Sequence, residues 1–73
     1  MRAILIHRKI LGETIRAYRK AAKLSQEKLA ELADLHPNYV GEVERGGKTI
    51  SADKLVRVAK ALEIRVRDLI HDI

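Results

Sequence analysis

Apolar residues recur along this chain at intervals of three, four and seven, the repeat of helices that bury one face. Ile4, Leu11, Ile15, Tyr18 and Ala22 are spaced by 7, 4, 3 and 4. That spacing fits one helix running from near the N-terminus to Ala22. The apolar run at residues 3–6 fits a short extended arm equally well, and both readings stand at this point. From Leu11 onward the pattern is helical, mildly weakened by Gly12. Three further helix starts share one device: Leu24, Ser25 and Leu29; Leu35, His36 and Val40; Ile50, Ser51 and Leu55. Each is an apolar residue before the cap that pairs with one four places after it. Ser25 and Ser51 are good caps and His36 a poor one, although Pro37 suits the first helical position because its absent N–H would lack a partner anyway. Gly46 and Gly47 end the third helix and leave Lys48 and Thr49 in a loop. A fourth helix is predicted from Ser51 to about Leu62 with Leu55, Val58, Ala59 and Leu62 inward. A short fifth, residues 66–71, buries Val66, Leu69 and Ile70.

The pattern centres on residues 25–45, SQEKLAELADLHPNYVGEVER. Two short amphipathic segments meet there across Asp34 and Leu35, with too few residues between them for a real loop. The second segment buries Val40 and Val43 and turns Asn38, Gly41, Glu42 and Arg45 outward. The expectation is a helix, a sharp turn, and a helix offered to a partner.

Composition narrows the picture. The chain has 73 residues, enough for one domain whose folding buries only about 60% of its unfolded surface, so the core is marginal and a dimer would help it. With two Tyr and no Phe or Trp, the apolar content is aliphatic and favours an all-α bundle. Cysteine is absent, which excludes disulfides and thiolate metal sites. His7, His36 and His71 lie far apart with no ligand spacing, so neither metal nor cofactor is expected. No apolar run is long enough to span a bilayer and no signal-peptide pattern is seen, so a cytoplasmic protein is expected. The net charge of +5 is unevenly spread: residues 1–24 hold seven basic side chains against Glu13 alone, a local +6. Such an asymmetry suits an anionic partner, a phosphate backbone or a membrane surface, although a solvated basic helix face would look the same.

The run LSQEKLAELADLHPNYVGEVERGGKTIS, followed by LVRVAKAL, resembles the Cro and lambda repressor-like helix-turn-helix family of bacterial regulators, also called the xenobiotic-response-element family. The resemblance covers residues 11–70. It rests on Ser-Gln opening the second helix, small Ala30 where helices cross, apolar Leu35, Val40 and Val43, and the Glu-Arg-Gly at residues 44–46. The wording NYVGEVERG is similar to restriction-modification controller proteins.

That resemblance implies a compact five-helix, lambda repressor-like DNA-binding domain. It places Gln26 against phosphate and against the recognition helix, and Pro37, Asn38 and Glu42 at base edges in the major groove. Asn can pair bidentately with adenine and Glu can accept from cytosine N4. Tyr39, Arg45, Lys48 and Thr49 are expected at phosphate or sugar, and His36 at either a phosphate or the helix cap. Duller readings stand beside these: Asn38 as a solvated first-turn residue, Glu42 as a group that repels wrong sequences, Tyr39 as a half-buried core aromatic. Gly41 inside a helix costs about 1 kcal/mol relative to Ala, which close approach to DNA would justify. The family also pairs an arginine of the first helix with a glutamate ending the third, here Arg19 and Glu44. Where family members favour Gly at helix ends, this chain has Lys23, Asp34 and Glu63. Asp tolerates a left-handed backbone comparatively well, so only the ends at Lys23 and Glu63 are expected to close differently; where a polar cap usually precedes the last helix this chain has Arg65, so that helix is expected to start poorly.

The function expected from all this is a sequence-specific regulator of transcription that binds a roughly palindromic operator in double-stranded DNA as a homodimer. No nucleophile with a base, no paired carboxylates in an apolar setting and no phosphate-cradling loop are present, so no enzyme is expected. Two other classes stay open: a protein-interaction module on the same scaffold, antitoxin-like or coactivator-like, and a basic helix lying on an anionic membrane. Leu11, Ile15 and Tyr18, needed for the core, weigh against the second.

Overall fold

The computed structural model describes the backbone of residues 2–70 and the side chains of residues 7–70. Five helices follow in order: α1 (Arg2–Ala21), α2 (Gln26–Ala33), α3 (Pro37–Glu44), α4 (Ala52–Ala61) and α5 (Val66–Ile70). The open choice at the N-terminus is resolved in favour of helix, since residues 3–6 continue α1. The predicted helical position of His71 lies outside the described residues, as do the side chain of Ile4 and its place on the apolar stripe. Among the described residues, no helix is long and apolar enough to cross a membrane.

The three caps form as their residue types dictate. Ser25 Oγ accepts from the Lys28 N–H at 2.9 Å and Ser51 Oγ from the Lys54 N–H at 3.3 Å. His36, rated a poor cap, caps α3 all the same: its Nδ1 accepts from the Asn38 N–H at 3.1 Å. An imidazole nitrogen with a free lone pair can stand in for a hydroxyl there. The poor start expected for α5 is remedied from inside that helix, because Asp68 Oδ2 accepts from the Arg65 N–H at 3.0 Å. This is the returning half of a capping box. Its signal, an acid three residues after the start, was present in the sequence.

The helix ends correct an expectation. Lys23, Asp34 and Glu63 all adopt the left-handed conformation, with φ of 61°, 57° and 58°, so the two ends without Gly or Asp close like the others. In each case the following apolar residue reaches back five positions: Leu24 N–H to Arg19 O, Leu35 N–H to Ala30 O, Ile64 N–H to Ala59 O. Gly46, at φ 79°, precedes the same closure, with Gly47 N–H on Glu42 O. Leu24 and Leu35 thus each end one helix and staple the next, which is why the connections are so short. Left-handed Lys and Glu cost roughly 1 to 2 kcal/mol each, of which Gly would return about half after its own entropy loss. Lys23→Gly and Glu63→Gly together are therefore expected to raise Tm by several degrees. A Tm unchanged or lowered in thermal unfolding would show that those backbones are unstrained.

Packing is pairwise: α1 lies on α3 and α5, α2 on α3 and α4, and α4 on α5. Ile15, Leu29, Ala30, Ala33, Val40, Val43, Val58, Ala59, Leu62 and Leu69 form the core, with Leu11, Tyr18, Leu24, Leu35, Leu55 and Val66 among the half-buried residues around it. Two apolar residues depart from expectation. Ala22 is exposed, because it follows the last residue of α1 as the chain turns toward α2. Ile70 is 41% exposed, since α5 is a short helix in which Leu69 takes the inward position.

Gly12 is the larger surprise. A Cβ there would stand 2.3 Å from Val43 O and 2.7 Å from Glu44 O. The residue expected only to weaken α1 is what allows α1 and the end of α3 to touch.

Candidate nucleic-acid interface

The outward side of α3 is built by elimination. Val40 and Val43 are spent on the core and Glu44 on an ion pair, which leaves Asn38 and Arg45 exposed and Pro37 and Glu42 half-buried at the surface. Together with Gln26 and Gly41 they line a shallow groove of about 160 Å³. Gly41, expected outward, is buried. An added Cβ would meet Gln26 Oε1 and Arg45 Nη1, each at 3.3 Å. The absent side chain makes room for these two protein groups lying over the helix.

Behind the groove sits the expected pair. Arg19 Nε donates to Glu44 Oε2 at 2.6 Å and its Nη2 to Glu44 Oε1 at 3.0 Å, the fork that makes guanidinium–carboxylate contacts directional. Arg19 Nη1 donates to Leu24 O at 2.8 Å, and Gln26 Nε2 donates to Glu44 Oε1 at 3.0 Å. Four groups from α1, the first turn, α2 and α3 are therefore locked together. Gln26 braces the outward helix as the resemblance implied, and this leaves it one amide N–H for another partner.

On the other flank, the Tyr39 hydroxyl donates to Thr49 O at 3.2 Å, tying α3 to the loop before α4. Burial pushes the pKa of that hydroxyl above its ordinary value, against the opposing pull of the Arg57 charge, so it remains a protonated donor at neutral pH. Tyr39 thereby takes the half-buried structural role weighed for it, with its oxygen still able to accept. Lys48 and Thr49 are exposed in the loop beside it. Sequence reasoning missed Lys54 and Arg57 of α4. Lys54 Nζ lies 4.6 Å from the Tyr39 ring centroid, with Lys48 Nζ at 6.0 Å, so a second cation joins the loop. Arg57 reaches Asp34 Oδ2 at 3.6 Å and holds the turn between α2 and α3 against α4. No local pattern announces either residue, because only the packing of α4 brings them there.

The arrangement is a partly exposed polar helix face with Arg45 at its end and Lys48, Lys54 and Arg57 around Tyr39 on one flank. Among the described residues no group of three or more acidic or histidine side chains could hold a metal ion. A family model described as helix-turn-helix matches residues 15–69. The chain belongs to the helix-turn-helix family. This helix-turn-helix protein is 43% identical over 63 residues to the control protein C.SmaI of Serratia marcescens, an alignment spanning 86% of this chain and 75% of that one. Among solved structures it is similar to the restriction-modification controller protein C.AhdI of Aeromonas hydrophila, at 42% identity and a TM-score of 0.84, covering 85% of this chain and 94% of the other. The clp gene regulator ClgR of Corynebacterium glutamicum superposes with a TM-score of 0.86 at 34% identity, over 89% of this chain and 69% of that one. Membership makes the protein a DNA-binding transcriptional regulator of the Cro and lambda repressor-like type. The names of these relatives describe controllers and regulators and no enzyme.

Proposed function

We propose that this helix-turn-helix protein is a sequence-specific regulator that binds a roughly palindromic operator as a homodimer, as a controller protein of a restriction-modification system would. Two copies of α3 lie in successive major grooves, about 34 Å apart. The observation that carries this reading is the division of α3: its inner side chains are consumed by packing, while Asn38 stands exposed beside Glu42 in a groove whose wall includes the exposed Arg45. Pro37, Asn38 and Glu42 face base edges. Gln26, His36, Arg45, Lys48 and Thr49 meet phosphates, as does Tyr39 when its hydroxyl turns its proton from Thr49 O to a phosphate oxygen. His36 spends Nδ1 on the cap and keeps Nε2–H for that contact. Ile70, exposed on α5 next to the half-buried Val66, supports a two-fold contact along that helix. A dimer also compensates for a small core. Cytoplasmic location beside the nucleoid goes with this reading, as does control by protein concentration.

Selection of bound DNA from a random duplex pool tests it, since site, spacing and symmetry emerge together. Asn38→Ala is expected to relax preference at one position per half-site, by about 1 to 3 kcal/mol. Lys48→Ala is expected to weaken all sequences alike and to lower the salt slope by about one unit. Uniform weakening by both variants would remove the base-reading role from Asn38, and a pool with no enriched site would overturn the proposed function.

A further inference from the structure

A cleft of about 160 Å³ runs between the first half of α1 and the loop before α4, apart from the groove on α3. Leu11, Val43 and Ile50 give it an apolar wall, and Arg8, His7 and Lys48 supply most of the polar part of its lining. Arg8 and Leu11 are three residues apart, and His7 and Leu11 four, so all three share one face of α1. Leu11 and Ile50 pack on the core, yet both keep part of their surface open.

The charge around this cleft is of one sign. Among the described residues that line it none is acidic, and neither Arg8 nor Lys48 has an ion-pair partner. Lys48 faces only the Tyr39 ring, at 6.0 Å. The Nε of Arg8 is buried without a hydrogen-bond partner, so that guanidinium lacks the acceptors its planar fork is built to hold.

Size and lining together select the occupant. Small-molecule sites typically hold about 300 to 1,000 Å³, so this cleft admits a single apolar side chain and no larger ligand. A phosphate backbone would satisfy the cations, but it offers no side chain to fill an apolar recess. A second copy of this chain would bring its own net charge of +5 to a cationic rim. A peptide segment with one aliphatic anchor among carboxylates meets both demands: the anchor fills the recess and the charges complement its rim.

We propose that the α1 cleft docks an acidic segment of a partner protein, with one aliphatic side chain against Leu11, Val43 and Ile50 and its neighbouring carboxylates on Arg8 and Lys48. Lys48 is also one of the cations proposed to meet phosphate, so the docked segment and DNA compete for it. The docking stands on the cleft alone, and the competition rests on the proposed function.

The probe is a synthetic dodecapeptide of Asp, Glu and Ser with one central Leu, titrated into this chain without DNA and followed through the methyl signals of the protein. Those of Leu11, Val43 and Ile50 are expected to shift together and to saturate. Replacing the peptide's Leu by Gly is expected to weaken binding about tenfold or more, the loss of one buried aliphatic side chain. Arg8→Gln with Lys48→Gln is expected to weaken it roughly two- to tenfold, since rim charges contribute modestly. Unmoved methyl signals at millimolar peptide, or equal binding of the Gly peptide, overturn the proposal whatever the protein variants do. So do nuclear Overhauser contacts between these methyls and a duplex oligonucleotide, which would assign the cleft to DNA. Added to the DNA complex, the Leu peptide is expected to displace DNA more effectively than the Gly peptide, and simultaneous binding of both would overturn the competition. If the chain binds no DNA, the proposed function fails while the methyl shifts still decide the docking.

Discussion

Arg19→Ala is expected to remove about 3 to 5 kcal/mol of folding stability, the cost of leaving a buried charge without its partner. Glu44 would be the stranded group: its side chain is 2% exposed and accepts two hydrogen bonds from Arg19. Gln26 would remain as its donor, but a neutral amide does not balance a carboxylate. The Leu24 carbonyl, near the closure of α1, loses its bond from Arg19 Nη1 at the same time. A chain of 73 residues has a total stability on the order of 4 to 11 kcal/mol, so the variant is expected to melt roughly 20 °C lower or not to fold. Replacing both partners, Arg19→Met with Glu44→Leu, is expected to recover a large part of the loss, because a buried ion pair gains little net energy over apolar groups of similar size. Recovery is incomplete, since Gln26 Nε2 and Leu24 O lose their partners. Thermal and chemical unfolding of the two variants checks both statements. An unchanged melting temperature in Arg19→Ala would mean that the pair contributes nothing.

Gly12→Ala is expected to be the other severe substitution, although Ala is the better helix former by about 1 kcal/mol. The added methyl would overlap Val43 O at 2.3 Å and the carbonyl of Glu44 at 2.7 and 2.9 Å, all backbone atoms. No rotamer change relieves such an overlap; α1 and α3 must separate along their contact. Overpacking of a rigid core costs typically about 1 to 3 kcal/mol and more when backbone must move, so the net change is a loss. Because α3 is displaced with its outward face, DNA affinity is expected to fall beyond what the unfolded fraction explains. Gly47→Ala is the control. Its Cβ would meet Glu42 O at 3.4 Å, an ordinary contact, and its stability is expected to stay near that of the wild type. Equal denaturation midpoints for Gly12→Ala and the wild type would show that the α1–α3 crossing is looser than its geometry implies.

These two residues show where sequence reasoning succeeds and where it stops. Arg19 and Glu44 are 25 positions apart, and no local rule connects them. They were paired through the resemblance, and their geometry follows it. Gly12 carried no such cue, and its propensity pointed the wrong way. Gly41 was read as facing outward because its helical angle is that of the exposed face, whereas Gln26 and Arg45 fold over it. Lys54 and Arg57 went unnoticed because nothing in their own helix marks them. Propensity disfavours left-handed Lys23 and Glu63, and the six-residue closures made by Leu24 and Ile64, half-buried against the core, override it.

What the chain determined by itself is everything decided within about one helical turn: the three capped starts at Ser25, His36 and Ser51, the apolar stripes, the tight turn at Asp34, and with them the helix-turn-helix. These depend on contacts between residues three to five apart, and such contacts are written in the order of the residues. The tertiary structure alone decided which backbone must pass within touching distance at Gly12, which groups cover Gly41, and which cations gather beside Tyr39 and around the α1 cleft. Those outcomes depend on how rigid helices settle against one another, a matter of a few tenths of an ångström that no spacing along the chain encodes.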